Sequence, residues 1–393
     1  MNFKKWLFTA VMIFLMAIPV LSMAEQADDI TKTCKFKASG NGHHVKRMFD
    51  DLYDTYWMAN TTKKGYLEIT APKGEKLGGV YIKWYNNAPA WRLTVEENGE
   101  WKTVAQSEDG FLADYLALPE AVSKCRVYTG EKSRSKMTIV ELRAYGEGEP
   151  PADVQQWSPT AEKSDLLVIS AHPDDEVLFM GGTIPYYAGE MKKTVEVLYL
   201  VPSTYYRKLE LLDGLWLCGV RNYPILGKMR DNYAMSLKVM YQKWNKEQVY
   251  RLITSAIRRC KPDVVVTHDI KGEYGHGAHR AAADAAIHCF KETGKAKKYS
   301  ESAEKYGTWN ASKLYIHLYP KNPITMDWRQ PLEAFGGKTA FDMATAAFHM
   351  HRSQQRTDYV VADDGPYDNR QFGLYYSTVG DDIEKNDFFE NIE

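Results

Sequence analysis

One stretch decides the fold of the C-terminal part of this chain: Leu166-Leu167-Val168-Ile169-Ser170-Ala171-His172-Pro173-Asp174-Asp175-Glu176. Its apolar start predicts a strand covered on both faces of a sheet, and the turn that follows places an imidazole and adjacent carboxylates beside an apolar core. Unpaired charges in such a place are strongly destabilising, so we expect a partner, most simply a cation. The alternative is a helix N-cap, in which Asp174 or Asp175 satisfies backbone N–H groups ahead of a helix that begins near Val177.

Beyond residue 163 the chain alternates between predicted strands and predicted helices. This alternation is typical of an α/β domain with a mostly parallel sheet. Ligands of such sheets bind outside the carboxyl ends of the strands, which is where the turn at 172–176 falls. Apolar and β-branched runs predict strands at 166–169, 195–201, 264–267 and 314–318, and helical spacing of apolar residues predicts helices over 249–260 and 282–290.

A second polar cluster follows the predicted strand 264–267 and runs from His268 to His279. Two strand-to-helix loops therefore bring His and Asp side chains to one rim of the sheet. His276 and His279 are three residues apart at the start of a helix, so their side chains can lean the same way. Taken singly, His279 fits a core position and His276 an exposed loop. Taken together, the two loops predict a metal or catalytic site.

Composition excludes some classes of function. The 50 basic and 51 acidic residues are interspersed, so no block of charge marks a nucleic-acid-binding protein. A length of 393 residues favours two domains, each able to bury a sizeable core. Beyond residue 24, no segment is long and apolar enough to predict a membrane span.

Residues 1–24 have the pattern of an export signal. Lys4 and Lys5 precede an apolar stretch, and the small residues Ser22 and Ala24 fit a signal-peptidase site. We therefore expect cleavage and an exported protein, located in the periplasm, at the cell surface or outside the cell. The alternative is an uncleaved membrane anchor.

The five cysteines contain no CxxC pair, which argues against a thiolate zinc ribbon. In an exported protein, Cys34 and Cys125 are candidates for a disulfide. Cys218, Cys260 and Cys289 lie in contexts typical of buried free thiols.

Residues 30–148 predict an all-β domain. Short alternating runs, such as 79–84 and 138–142, predict strands, and Asn98-Gly99 predicts a tight hairpin turn. Strands at this spacing, with almost no helical periodicity, favour a β-sandwich. The Gly, Glu and Pro content of 149–162 is typical of a linker, so 163–393 forms the second domain.

The turn at 171–176 and the later histidine pair resemble the PIG-L (LmbE-like) family. The shared motifs are the AHPDDE turn and the HxxH spacing of His276 and His279, within residues 163–355. The family consists of metal-dependent N-deacetylases that act on N-acetylglucosamine-containing compounds and have a Rossmann-like fold. The resemblance implies the same activity and the same α/β fold, a mostly parallel sheet with flanking helices. Many members carry Pro-Asp inside the second motif, where this chain has Gly277-Ala278.

The same resemblance implies the ligands of a metal and the base. His172, Asp175 and His279 are implied as ligands of Zn²⁺, and Asp174 as the general base. Two imidazoles and one carboxylate leave a position open for water, as a catalytic zinc site requires. The same ligand set also suits Fe²⁺.

Other residues receive roles from the resemblance as well. His276, as an imidazolium, and Tyr274 are implied to stabilise the oxyanion of the transition state. Arg207, with Glu210, resembles the family's arginine-bearing helix and is expected to contact the substrate. The segment 351–354 resembles a recurrent C-terminal element of the family.

The N-terminal domain resembles the discoidin (F5/8 type C) β-sandwich, through Asp51-Leu52-Tyr53 and the run 139–146. Domains of that family often bind carbohydrate or membrane surfaces through loops at one end of the sandwich. The resemblance implies a carbohydrate-binding domain, with Trp57, Tyr85 and Trp91 as candidate sugar-stacking residues. The alternative is that these aromatic residues pack in the core.

The sequence therefore predicts an exported, zinc-dependent enzyme that hydrolyses the N-acetyl group of an N-acetylglucosamine-type sugar or glycan. One alternative is a carbohydrate-binding protein whose α/β domain is catalytically silent, although intact Asp174 and His276 argue against it. Another is a metal amidase that acts on a different N-acyl group. A serine hydrolase is disfavoured because no GxSxG follows a predicted strand.

Overall fold

A computed structural model describes residues 25–62, 65–86, 90–129, 135–355 and 358–392. The predicted signal segment 1–24 lies outside the described residues. The described chain forms an N-terminal β-sandwich and a C-terminal α/β domain, which confirms the predicted fold class.

Two antiparallel sheets form the N-terminal domain. The strands are β1 (Lys35–Ala38), β2 (Trp57–Met58), β3 (Tyr66–Thr70), β4 (Leu77–Trp84), β5 (Trp91–Glu97), β6 (Glu100–Ser107), β7 (Ala113–Val122), β8 (Lys124–Tyr128) and β9 (Thr138–Tyr145). Among the described residues, one sheet has the order β1-β3-β8-β5-β6 and the other β2-β9-β4-β7. The residues Asn98 and Gly99 join β5 to β6 with φ angles of 53° and 84°, so the predicted hairpin turn is confirmed.

The core of the sandwich contains the aromatic residues that the sequence offered as sugar platforms. Trp57 is 0% and Trp91 1% exposed, so neither can stack on a ligand. Their indole N–H groups donate to Gly40 O at 3.1 Å and to the Asp114 carboxylate at 2.8 Å. The sugar-stacking hypothesis is therefore wrong for both tryptophans, because a residue type alone does not tell which face of a strand it occupies.

The C-terminal domain is built around one mixed sheet. Its strands are β10 (Leu166–Ser170), β11 (Val195–Tyr199), β12 (Ile225–Leu226), β13 (Val264–Thr267), β14 (Lys313–His317), β15 (Pro323–Thr325) and β16 (Gln371–Ser377). Within the described residues the order is β12-β11-β10-β13-β14-β16-β15. Neighbouring strands from β12 to β14 pair in parallel, whereas β16 pairs antiparallel with β14 and with β15.

Helices cover both faces of this sheet. They are α1 (Asp175–Leu178), α2 (Tyr205–Leu217), α3 (Leu237–Lys243), α4 (Lys246–Cys260), α5 (Gly277–Phe290), α6 (Ser300–Tyr306) and α7 (Ala340–Met350), with a π-helical turn at Pro185–Glu190. Leu167 and Ile169 of β10 pack in one buried cluster with α4 and α5, whereas Val168 packs in another with α2 and α7. This two-sided burial explains the unbroken apolar run of β10.

The order of the parallel strands places the two polar loops side by side. The chain leaves β10 towards β11 on one side and returns to β13 on the other, so the strand order reverses between β10 and β13. Open α/β sheets bind ligands at such a reversal point, outside the carboxyl ends of the strands. The loops that carry His172 and His279 begin there.

The sandwich and the α/β domain share one hydrophobic core. The rings of Phe111 and Tyr223 stack at 4.6 Å, and the Tyr223 hydroxyl accepts the Leu112 N–H at 3.1 Å. The ring of Tyr85 lies 4.0 Å from that of Tyr205 at the start of α2. The two domains are thus packed together rather than tethered.

All five cysteines are free thiols in the structure. Cys125 lies on β8, and β3 separates β8 from β1, which begins directly after Cys34. The candidate bridge between Cys34 and Cys125 is therefore not formed in the structure.

Of the helices in the described ranges, none has the length and apolar character of a membrane span.

Candidate metal and catalytic site

A cavity of about 160 Å³ opens at the carboxyl ends of β10 and β13. It brings together six of the seven predicted site residues, and the seventh, His279, lies directly behind it. The lining residues are His172, Asp174, Asp175, Leu178, Phe179, Arg207, Asp231, Tyr274, His276, Gln354 and Tyr359.

The three predicted metal ligands converge on one carboxylate oxygen. Oδ2 of Asp175 lies 3.1 Å from His172 Nδ1 and 3.3 Å from His279 Nε2. The same oxygen accepts the backbone N–H of His172 at 2.8 Å, which closes the turn. All three residues are buried, at 8% exposure or less. Such a cluster of donor atoms fits a cation.

Among the described residues, Nε2 of His279 is buried and has no hydrogen-bond partner. Its other ring nitrogen, Nδ1, lies 2.7 Å from the Glu273 carboxylate. A histidine whose Nδ1–H donates to a carboxylate presents the Nε2 lone pair, the usual arrangement for a metal ligand. His172, Asp175 and His279 therefore have the donor types that the implied metal takes, and each belongs to at least one of two groups whose donor atoms lie within 4.8 Å of one another: His172, His276 and His279, and Asp175, His268 and His279.

Two other histidines lie close enough to be considered as ligands. His268 converges with Asp175 and His279, but its Nε2 already accepts the Ala171 N–H at 2.9 Å, so that nitrogen is occupied. His276 converges with His172 and His279, and its Nδ1 has no hydrogen-bond partner in the described part of the chain. His276 can therefore face either a metal or a substrate.

Glu273 organises the histidines, and the sequence analysis missed it. Its carboxylate lies 2.9 Å from His268 Nδ1, 2.7 Å from His279 Nδ1 and 2.6 Å from His317 Nδ1. Burial acts to raise the pKa of Glu273, but the surrounding histidines hold it well below its usual range. Glu273 is fully buried and charged, and it fixes the orientation of three imidazoles at once.

Asp174 has the environment of a proton acceptor rather than of a helix cap. Helix α1 begins at Asp175, and the Asp174 side chain makes no capping hydrogen bond, so the N-cap alternative is wrong. Burial and the neighbouring Asp175 carboxylate raise the pKa of Asp174 to about 7, against the opposing charges of Arg207 and His351. Its φ of 107° is strained for a residue with a side chain, and such strain concentrates at functional sites.

Arg207 lies on α2 and contacts the turn directly. Its Nη2 donates to Pro173 O and lies 3.1 Å from Asp174 Oδ2. Arg207 therefore orients Asp174, and it also lines the cavity where a substrate would lie. One helical turn later, Glu210 accepts both the N–H and the hydroxyl of Ser353 at 2.8 and 2.6 Å.

The segment 351–354 also reaches the turn at 172–176. His351 is fully buried, and its Nε2 lies 3.3 Å from the Glu176 carboxylate. The other oxygen of that carboxylate accepts the Asp174 N–H at 2.9 Å. His351 thus supports the strained backbone of the turn from behind.

His276 and Tyr274 lie on the cavity wall opposite the turn. Burial, together with His279 and His172, lowers the pKa of His276 to about 3. This shift favours a neutral imidazole over the expected imidazolium, which stays a prediction. Neutral His276 retains one N–H to donate. Burial and the nearby carboxylates raise the pKa of Tyr274, so its hydroxyl keeps its proton.

Comparisons with known proteins agree with this geometry. Residues 167–290 match the family model described as PIG-L: GlcNAc-PI de-N-acetylase. The chain is 25% identical over 276 residues to 1D-myo-inositol 2-acetamido-2-deoxy-alpha-D-glucopyranoside deacetylase of Thermomonospora curvata, which covers 55% of this chain and 90% of the relative.

Two solved structures are similar to separate parts of the chain. N,N'-diacetylchitobiose deacetylase from Pyrococcus horikoshii is 20% identical, with 50% of this chain and 72% of that chain covered and a TM-score of 0.37. The family 32 CBM of C. perfringens NanJ, solved with galactose, is 16% identical, with 30% and 98% covered and a TM-score of 0.26.

The range matched by the PIG-L family model, residues 167–290, contains both polar loops that the sequence singled out. Three further residues that support the site lie outside those two loops: Glu210, His317 and His351. Glu210 lies within the matched range, whereas His317 and His351 follow it. The signal that would have pointed to Glu273 is its position one residue before Tyr274, inside a cluster otherwise rich in histidine.

Proposed function

We propose that this protein is a metal-dependent N-deacetylase that hydrolyses the acetamido group of an N-acetylglucosamine-type sugar. The observation that carries the proposal is the buried Nε2 of His279, which lies 3.3 Å from Asp175 Oδ2 while the Glu273 carboxylate holds Nδ1 at 2.7 Å. The named relative supports the proposal, since it is itself a deacetylase of an acetamido sugar.

His172, Asp175 and His279 would hold the metal, and we propose Zn²⁺. When bound, such an ion polarises the amide carbonyl and makes water available as a nucleophile near neutral pH. A site with three protein ligands leaves room for substrate and water, as catalytic zinc sites do.

Asp174 is assigned as the proton carrier. In its unprotonated form it accepts a proton from the attacking water, and it then delivers that proton to the leaving amine nitrogen. The products are acetate and the free amino sugar, so the added water is fully accounted for. Arg207, 3.1 Å away, holds the carboxylate in one orientation through both steps.

His276 and Tyr274 would donate hydrogen bonds to the oxygen on which negative charge develops. Both groups are neutral donors on a buried wall, where hydrogen bonds to a developing charge are stronger than in water. Their rings lie 5.6 Å apart, so both can face one small group in the cavity.

Two exposed aromatic residues at the mouth of the cavity support a sugar substrate. Tyr233 is 68% exposed and its ring lies 5.4 Å from that of His276. Tyr359 is 38% exposed and its ring lies 5.1 Å from that of Tyr274. Exposed rings beside a catalytic cavity offer flat apolar faces on which the C–H face of a pyranose can stack.

We further propose that the sandwich helps to hold the enzyme on a glycan and that the protein is exported. Export rests on the pattern of residues 1–24, and N-terminal sequencing of the protein purified from the cell envelope and the medium tests it. A chain that begins near residue 25 supports cleavage, and an intact leader would contradict it.

The catalytic proposal is tested by acetate release. The purified full-length protein is analysed for metal and then incubated with N-acetylglucosamine, its short oligomers, and the matching N-propionyl and N-butyryl sugars. We expect bound zinc and release of acetate in preference to the longer acids, with His279→Ala as the inactive blank. Bound metal without release of any acid would favour the silent carbohydrate-binding alternative.

A further inference from the structure

A second cleft lies between the two domains, and the proposed catalysis does not use it. Its volume is about 500 Å³, against about 160 Å³ for the catalytic cavity. Pockets of this size at a domain interface commonly bind small molecules. It is lined by Tyr53, Tyr81, Lys83, Arg143, Ala152, Asp153, Gln155, Asp213, Trp216, Leu217, Arg221, Met350 and Arg352.

The floor of this interdomain cleft is a preformed polar network that joins the two domains. Asp213 of α2 accepts hydrogen bonds from the Tyr53 hydroxyl at 2.6 Å and from Gln155 Nε2 at 2.6 Å, and it pairs with Lys83 of β4. The buried charges of the floor are therefore satisfied, and the floor does not need to rearrange when a ligand binds.

One buried hydroxyl group in the floor of the cleft lacks a hydrogen-bond partner among the described residues. Tyr81 is 3% exposed, and its hydroxyl has no hydrogen-bond partner in the described ranges. Tyr81 is itself one of the residues that line the cleft. A buried hydroxyl without a partner is uncommon unless a ligand or ion completes it.

The rim of the cleft carries three arginines. Arg143 is paired with Asp153 at 2.7 Å. Arg221 and Arg352 are exposed, and within the described residues neither lies within 4.0 Å of a carboxylate. Their recorded hydrogen bonds go to backbone carbonyls, so each guanidinium keeps N–H groups free to bind an anion.

Aromatic rings accompany these free guanidinium groups. Arg221 lies 3.9 Å above the ring of Trp216, and Arg352 lies 5.1 Å from the ring of Tyr53. A cleft that combines arginines, flat apolar faces and a buried hydroxyl matches a ligand with an anionic group, a C–H face and hydroxyl groups.

We propose that the interdomain cleft is a binding site for an anionic sugar of one or two rings, separate from the catalytic cavity. The anionic group pairs with Arg221 and Arg352, and a ring hydroxyl completes the hydrogen bonding of Tyr81. The anion is a carboxylate, as in a uronic acid, or a sulfate ester, and both present oxygens that a guanidinium binds in a bidentate manner. The proposal does not depend on the deacetylase activity.

Calorimetric titration of the full-length protein with glucuronate, glucose 6-sulfate and glucose tests the proposal. We expect at least one of the two anionic sugars to bind with one site per chain, and glucose to bind about tenfold more weakly or not at all, since a charge-assisted hydrogen bond is lost. Whichever anion binds identifies the anionic group.

Three variants locate the binding. Arg221→Gln should weaken binding of the anionic sugar about tenfold, for the loss of one charge-assisted contact. Tyr81→Phe should also weaken it, while leaving the melting temperature of the free protein unchanged or higher, because it removes only an unsatisfied hydroxyl. Arg47→Gln, at an exposed arginine of the sandwich outside the cleft, is the matched control and should bind as the unaltered protein does.

The proposal is overturned if neither anionic sugar binds with a Kd below roughly 10 mM, or if glucose binds with the same Kd as the anionic sugars. Binding that survives both Arg221→Gln and Tyr81→Phe would also overturn it, because the ligand would then occupy another place. These outcomes are independent of acetate release, so they leave the catalytic proposal to its own test.

Discussion

The buried Glu273 carboxylate is a hub, in the sense that it contacts His268, His279 and His317 at once, and its replacement gives a quantitative prediction. In the Glu273→Gln variant, one of the two acceptor oxygens becomes an NH₂ group, while His268, His279 and His317 still direct Nδ1 at the side chain. At least one buried donor then faces another donor. Each such loss costs about 1–3 kcal/mol, so we expect the free energy of unfolding to fall by roughly that amount or somewhat more.

The same change should weaken metal binding. His279 loses the carboxylate that sets its tautomer and raises the basicity of Nε2, and the loss of such a partner typically lowers metal affinity about 10–100-fold. Titration of the metal-free protein with zinc against a competing chelator measures this affinity, and thermal unfolding measures stability. Glu301→Gln, at an exposed glutamate of α6, serves as the control. An unchanged zinc affinity in Glu273→Gln would refute the reasoning, because the hub would then be structural only.

Three further predictions concern the catalytic cavity. His279→Ala should lose both bound zinc and acetate release, whereas His288→Ala, at an exposed histidine of the same helix, should keep both. In the metal-free protein the pKa of Asp174 is raised to about 7, above the ordinary ~3.9, so the contribution of its protonated form to stability is present at low pH and is lost as pH rises through 7. The melting temperature of Asp174→Asn should therefore rise relative to that of the unaltered protein between pH 4 and 8. A difference in melting temperature that stays constant with pH would contradict this. Tyr233→Ala should raise KM about tenfold with kcat little changed, because stacking contributes roughly 1.5 kcal/mol. Tyr376→Ala, at an exposed tyrosine away from the cavity, is the control and should leave KM unchanged. Equal KM values for Tyr233→Ala and the unaltered protein would exclude sugar stacking on Tyr233.

The sequence was sufficient for the parts of the fold that follow local patterns. The apolar run 166–169 predicted a strand buried on both faces, and helical spacing predicted the bodies of α4 and α5. The convergence of the two polar loops followed from the geometry of parallel sheets, since both loops leave carboxyl ends of adjacent strands.

Features that depend on distant neighbours could not be read in this way. Glu273 acquires its role from His317, which lies 44 residues further along the chain. The lowered pKa of His276 depends on burial and on two imidazoles, those of His279 and His172, that come from other parts of the site. The burial of Trp57 and Trp91 depends on which face of the sandwich each strand presents inward.

The proposed mechanism depends on separate roles for two adjacent aspartates: Asp175 binds the metal and Asp174 carries the proton. The Asp174→Asn variant tests this separation most directly. Metal content and acetate release are measured on the same purified sample of the variant. We expect full zinc occupancy, because Asp175 and both histidine ligands are retained, with kcat lowered about 10²–10⁴-fold. Near-normal turnover at full occupancy would contradict the assignment of Asp174 as the base, and loss of the metal would contradict its separation from the ligand set.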